Sequence, residues 1–146
     1  MIMYRTSIYF TLLLFTGCIA QSGETEREAA VNEEMINIFF QYFNRHDFIK
    51  MASLYSNDAI FLDPSFGKAF VKQSRQQTSA KYTAMAETFT DLKDDVKEIC
   101  SFKDKVIVQF VSTGTAAGGK KFKLPICTVF TIKQGKIISD ATYYDL

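Results

Sequence analysis

Few side chains in this sequence carry chemistry by type alone. The single His, His46, sits in Asn44-Arg45-His46-Asp47, a polar run that ends a helical pattern. A turn His with no obvious partner points to a structural or solvent role. The three Cys are Cys18, Cys100 and Cys127, and none falls in a CxxC or Cys/His spacing that would hold a metal. No metal, no cofactor and no nucleotide motif is expected. An exported chain would permit a Cys100–Cys127 disulfide, which sequence alone does not establish. Cys127 has no His in a shared motif and reads as a small, buried residue. Tyr42, Tyr55, Tyr82 and Tyr143 could hydrogen-bond a ligand carbonyl, and core packing explains them equally well. Asp63 directly precedes Pro64. On those two residues alone, it reads as the cap of a strand-ending turn.

The chemistry of Cys18 depends on what precedes it. Arg5 gives a positive start, and Ile8 to Phe15 is apolar apart from Thr11. Such a run fits a secretory leader and is shorter than the ~20 residues of a membrane-spanning helix. It ends in Phe15-Thr16-Gly17-Cys18. That tetrapeptide resembles the bacterial lipobox, in which a small residue precedes a lipid-modified Cys, although Phe15 stands where Leu is usual. The resemblance implies a signal peptide over 1–17 and a lipidated Cys18 opening a short tether over 18–27. It also implies a place in the bacterial cell envelope. The other reading is an ordinary leader cut near Ala20. Removing residues 1–17 leaves 129 residues, and loss of Arg5 takes the formal charge from +1 to 0. No clustered basic footprint for nucleic acid remains.

A mature chain of this length is one domain, over about 28–146. Val31, Met35, Ile38, Phe39, Tyr42 and Phe43 recur at helical spacing and predict a helix over about 24–44. A short second helix follows, with Phe48, Met51, Ala52, Leu54 and Tyr55 inward. Ser56-Asn57-Asp58 is turn chemistry, and Ala59–Asp63 is a strand stopped by Pro64. A third helix is expected over 68–88. Strands are expected over 95–102, 105–116, 122–132 and 137–144, with turns at Gly118-Gly119 and Gln134-Gly135. Helices followed by a meander mean α+β. One curved sheet around a long helix would enclose a cone.

The run Asn44-Arg45-His46-Asp47, then Leu54 to Ala59, Asp63-Pro64, Gly67, Pro125-Ile126 and Gly135-Lys136-Ile137 resembles the nuclear transport factor 2-like superfamily. It is most similar to the SnoaL-like and ketosteroid isomerase-like branches, over about residues 28 to 145. That resemblance implies a cone-shaped, curved antiparallel sheet wrapped around three N-terminal helices (the cystatin-like cone) with an apolar pocket. It also implies that Phe39, Tyr42, Phe43, Tyr55, Phe61, Tyr82, Cys127 and Val129 line the pocket. Asp63 matches the Asp-Pro base of the steroid isomerases, where an apolar cavity would raise its pKa. The positions of the two oxyanion donors carry Phe39 and Cys127. Phe has no hydroxyl and a thiol is a weak donor, so steroid isomerisation is not expected. Asp140 falls where the family points a polar group inward, and Asp63 with Asp140 could supply an acid and a base. Alternation in the last strand leaves both faces open: Ile138, Asp140, Thr142 and Tyr144 on one, Ile137, Ser139, Ala141 and Tyr143 on the other.

Three functions fit. The favoured one is an exported, lipid-anchored domain whose pocket binds a small apolar molecule. The second is an acid–base enzyme (isomerase, cyclase, dehydratase or hydrolase-like) using Asp63 with Asp140. The third is a dimeric interaction module. In each case a homodimer is expected through the outer sheet face, taken as Phe122, Leu124, Ile126, Phe130 and Ile132.

Overall fold

The structure is a computed structural model that describes residues 17–145, with the side chains of 17–22 and 24 excepted. The expected leader lies outside the described residues but for the backbone of Gly17, and so does the Cys18 side chain. The elements are α1 (Gly17–Asn44), α2 (Phe48–Ser53), β1 (Tyr55–Leu62), β2 (Val71–Gln73), α3 (Arg75–Thr88), β3 (Lys93–Phe102), β4 (Lys105–Thr115), β5 (Lys121–Lys133) and β6 (Lys136–Tyr143). This is the expected α+β fold, three helices and one six-stranded curved sheet, in the order β2-β1-β6-β5-β4-β3. Every strand pair is antiparallel except β1 with β6, which is parallel.

Helix α1 includes the stretch read as a tether. Ala, Gln, Glu and Arg dominate residues 20–28, and all four favour helix. Its fully buried stripe is Ile36, Phe39, Phe40 and Phe43. The expected stripe was turned slightly from this one: Val31 is 60 % exposed and Tyr42 only half-buried. Four aromatic or aliphatic side chains on one face give α1 its packing energy against the sheet, at roughly 1.5–3 kcal/mol for each fully buried.

The third helix starts later than expected. Ser74 accepts from the Gln77 backbone N–H, and the Gln77 side chain returns a bond to the Ser74 N–H. This reciprocal cap fixes the helix start at Arg75. Val71, which the longer helix would have absorbed, instead pairs with Phe61 as part of β2. Strand β1 is longer than expected. Its residues Ser56–Asp58 span an irregularity against β6, where the register shifts between Tyr55 and Ile60.

Strand β4 alternates as read: Val106, Val108 and Phe110 are buried and Ile107 is exposed. Strand β5 is the main correction. Phe130, Thr128 and Ile126 pair with Val106, Val108 and Phe110, so they share the inner face. Phe130 packs against Phe39 of α1 at 5.3 Å, and Phe122 against Phe89 at 5.1 Å. The row expected outside is therefore the inner wall, and Cys127 and Val129 point to the outer face. An error of one residue in a strand exchanges its two faces. Gly114 belongs to the same contact. A Cβ there would lie 2.6 Å from Phe122 Cε1, so the ring can lie flat on β4 only over glycine.

Cys100 and Cys127 are both free. They sit on β3 and β5 with β4 between them. Two strand spacings, about 9–10 Å, exceed the reach of a disulfide.

Candidate functional site

The space between α1, α3 and the inner sheet face is a cavity of about 490 Å³. Phe39, Phe40 and Phe43 form its α1 wall, and Tyr82, Met85 and Phe89 close the α3 side. Phe110, Phe122, Leu124, Ile126 and Phe130 form its floor. Against this apolar lining stand four carboxyl groups, of which Asp63, Asp140 and Asp94 have distinct surroundings and Asp145 follows β6.

Asp63 sits at the rim. Its Oδ1 accepts from the Ser65 backbone N–H at 2.7 Å and from the Tyr144 hydroxyl at 2.9 Å. Its Oδ2 meets Lys81 Nζ at 2.8 Å. Partial burial pushes its pKa up, but the bonds from Lys81 and Ser65 outweigh that and hold it below the usual value. The apolar-cavity reading of Asp63 as a base with a raised pKa is thus corrected, because a lysine and a backbone amide surround the carboxylate. The turn role foreseen from Asp-Pro is also present, with Asp63 capping the 3-10 turn Pro64–Phe66. Burial, then the neighbouring Asp63, pushes the Tyr144 phenol up to about 12.

Asp140 is 5 % exposed and lines the cavity. It accepts from the Tyr55 hydroxyl at 2.6 Å and the Thr142 hydroxyl at 2.8 Å. Burial raises its pKa, with those two bonds pulling it back in part. The face of β6 could not be read from alternation because β6 is bulged. The register to β5 shifts at Ile132, leaving Ile138 as the extra residue, so Ile137 and Asp140 are both buried. Thr128, the inward neighbour of Cys127, shares a hydrogen bond with Thr142 at 2.8 Å and so extends the Asp140 network.

Asp94 did not emerge from the sequence. It is 6 % exposed, on the inner face of β3 opposite Ser112. Burial pushes its carboxyl up to about 7, with the Ser112 hydroxyl acting in the opposite sense. Its Oδ1 has no hydrogen-bond partner among the described residues. The polar turn after α1 places it. Asn44 donates to the Asp94 carbonyl and accepts from its N–H, both at 2.8 Å. His46 donates from Nε2 to the Leu92 carbonyl at 2.8 Å and stacks on Phe48. The charged run Lys93-Asp94-Asp95 looks solvated as a string. Only the alternation Leu92, Asp94, Val96, continued back from the strand, would have turned Asp94 inward.

Of the residues expected in the pocket, Phe39, Phe43 and Tyr82 line it together with Asp63 and Asp140. Tyr55 is buried beneath it and reaches Asp140. Phe61 is buried against Tyr55, with ring centres 5.0 Å apart, and is core rather than lining. Tyr42 faces Lys50, whose Nζ lies 5.7 Å from its ring centre. Cys127 and Val129 face away. Tyr82 binds the three carboxyls into one electrostatic neighbourhood: burial, then Asp140, Asp63 and Asp94, push its phenol well above the ordinary value. Among the described residues no group of His, Cys, Asp or Glu gathers to hold a metal ion.

Comparison with known proteins places this architecture. Solved structures sharing the fold include a protein from Catenulispora acidiphila DSM 44928 with a ketosteroid isomerase-like fold, in complex with trimethylamine. It is 19% identical, covers 77% of this chain and 86% of its own, and superposes with a TM-score of 0.69. SalBIII, an epoxide hydrolase/cyclase-like enzyme of pyran ring formation in salinomycin, is 18% identical over 79% of this chain and 91% of its own, with a TM-score of 0.68. An epoxide hydrolase from M. tuberculosis is 14% identical over 81% and 85%, with a TM-score of 0.68. At these identities the likeness is one of fold. Comparison with curated proteins finds no match. The family profile described as the SnoaL-like domain matches residues 36–139, which run from α1 into β6 and hold Asp63 and Asp94, with Asp140 the next residue after the match. The chain belongs to the SnoaL-like domain family.

Proposed function

We propose that this chain is an exported, lipid-anchored SnoaL-like domain whose cavity binds a small, largely apolar molecule. The observation that carries the binding half is the cavity of about 490 Å³, walled by phenylalanines and carrying a few polar groups. Clefts of roughly 300–1,000 Å³ with apolar walls and a few placed polar groups are typical small-molecule sites. Phe39 offers no hydroxyl where an oxyanion donor would be wanted, which favours binding over steroid-type turnover. The anchor rests on the lipobox resemblance at Cys18, and it would put the cavity in the cell envelope, away from nucleotide cofactors. Dimerisation through the outer sheet face remains part of the proposal. The outward row is now Ile107, Val111, Cys127, Val129 and Tyr143.

A second reading, acid–base catalysis, is favoured by one feature. The bonds from Lys81 and Ser65 hold Asp63 below the usual carboxylate value while burial pushes Asp140 above it, and neighbouring carboxyls pushed apart are how such sites divide base from acid. Solved structures of the same fold include an epoxide hydrolase/cyclase-like enzyme of pyran ring formation and an epoxide hydrolase.

Native mass spectrometry of protein purified from its own membranes reads anchor and ligand together. The expected spectrum has a covalent lipid mass that Cys18→Ala removes, and a smaller non-covalent mass retained by both proteins. An unchanged covalent mass in Cys18→Ala would sink the anchor.

A further inference from the structure

The cavity is apolar in area but acidic in charge. Asp63, Asp94, Asp140 and Asp145 line it against Lys81 and Lys123. Lys81 is already bound to Asp63 at 2.8 Å. Asp94 is the carboxyl with spare capacity: it is more than nine-tenths buried, and its Oδ1 receives no hydrogen bond from any described residue. A buried acceptor left unsatisfied costs about 1–3 kcal/mol, so a site that keeps one gains by meeting a donor.

Strand register shows what surrounds this oxygen. Asp94 lies opposite Ser112, and Ser112 opposite Leu124. One step along β4 to one side is Phe110, edge-to-face with Phe40 at 5.0 Å. One step to the other is Gly114, covered by Phe122, which meets Phe89 at 5.1 Å. Two aromatic pairs thus flank one buried carboxylate. Ring faces attract cations, and a carboxylate between them supplies the full charge and a hydrogen-bond acceptor.

We propose that Asp94, with the rings on either side of it, receives the ammonium end of a small amine whose apolar remainder fills the cavity. The inference rests on the small-molecule reading above and names the class of molecule. An N–H of the ammonium donates to the Asp94 carboxylate, which a small turn of the side chain presents to the cavity it lines, and the complex is a neutral pair in an apolar wall. The position of Asp94, with a pKa raised by burial to about 7, makes binding pH-dependent. A cation requires the ionised form, so affinity rises with pH through that value until the amine itself loses its proton. The titratable groups that share the cavity with Asp94 are Tyr82 and Lys81 on α3, Lys123 on β5, Asp63 after β1, Asp140 on β6, and Tyr144 and Asp145 after it, while His46 is held on Leu92. Asp140 is also pushed up by burial, so a variant at position 94 is needed to separate the two.

The test titrates benzylamine and the near-isosteric benzyl alcohol by calorimetry, at pH 6 and pH 8, into the full chain and into Asp94→Asn. At pH 8 the wild type is expected to prefer the amine by tenfold or more. Its amine affinity should be about tenfold weaker at pH 6, from proton competition alone. In Asp94→Asn the two ligands should bind equally. Equal binding by the wild type at pH 8 overturns the amine inference and leaves the pocket reading standing. Saturation by neither ligand overturns both. An amine preference that persists in Asp94→Asn belongs to another carboxylate and also overturns it. If that variant does not fold, a wild-type preference unchanged between pH 6 and pH 8 is the overturning result.

Discussion

Between pH 4 and pH 8 the folded protein is expected to lose stability, and Asp94→Asn is expected to reduce the loss. The sign follows from proton binding. The Asp94 carboxyl is raised from 3.8 in the unfolded chain to about 7 in the fold, so across that interval the native state holds a proton that the unfolded state has released. Each pH unit then lowers stability by about 1.4 kcal/mol, and the whole interval by about 4 kcal/mol. The contribution is fully present below 3.8 and lost as pH rises through about 7. Asp140 acts in the same direction and leaves a residual slope in the variant. Asp63 acts oppositely: its lowered pKa gives stability above the unfolded value that disappears in acid. Urea denaturation from pH 4 to pH 8 measures all three, and a slope undiminished in Asp94→Asn would contradict the burial account. A stability gain at pH 8 from removing a single charge would mark Asp94 as kept for its chemistry at the expense of the fold.

Phe39→Ala is expected to cost about 3–5 kcal/mol, the range for deleting a buried ring. Phe39 is 4 % exposed and joins three elements. It meets Phe40 along α1 at 5.2 Å, Tyr55 at the start of β1 at 5.9 Å, and Phe130 of β5 at 5.3 Å. Truncation merges its volume with the existing cavity, so neighbours have little to close against. The same substitution at half-buried Tyr42, on the side of α1 facing Lys50, should cost less than half as much. Equal losses at both positions, read from denaturation midpoints, would mean that the burial pattern along α1 is wrong.

Much of the scaffold was legible from pattern. Strand β4 alternates without interruption, and the Asn44-to-Asp47 run ends α1 where expected. The errors have separate causes: period-two reading fails where a strand is bulged, and in β5 a family count displaced the alternation of Lys121 and Lys123 with Phe122 and Leu124. In β5 the rows Phe122, Leu124, Ile126 and Lys123, Pro125, Cys127 were told apart by counting from a family pattern, and a count wrong by one exchanges the faces. In β6 the extra residue at Ile138 shifts the phase between Ile137 and Asp140. Asp94 was hidden for a third reason. Its burial is created by Asn44, fifty residues earlier, and by Ser112 on the next strand, and neither is visible from Lys93-Asp94-Asp95. Ser74 and Gln77, by contrast, form a local capping signature that could have placed the start of α3.

In the reading proposed above, the space beneath α1 and α3 is a binding pocket. Titration with N-phenyl-1-naphthylamine, a neutral apolar fluorophore, tests it most directly, with Met85→Trp as the filled control. Met85 lines the cavity from α3, and the chain has no Trp of its own, so the indole adds both bulk and a single emitter. Saturable binding of one molecule per chain is expected for the wild type, weakened at least tenfold in Met85→Trp with the fold retained. Binding that never saturates, or equal affinity in the filled variant, would contradict it.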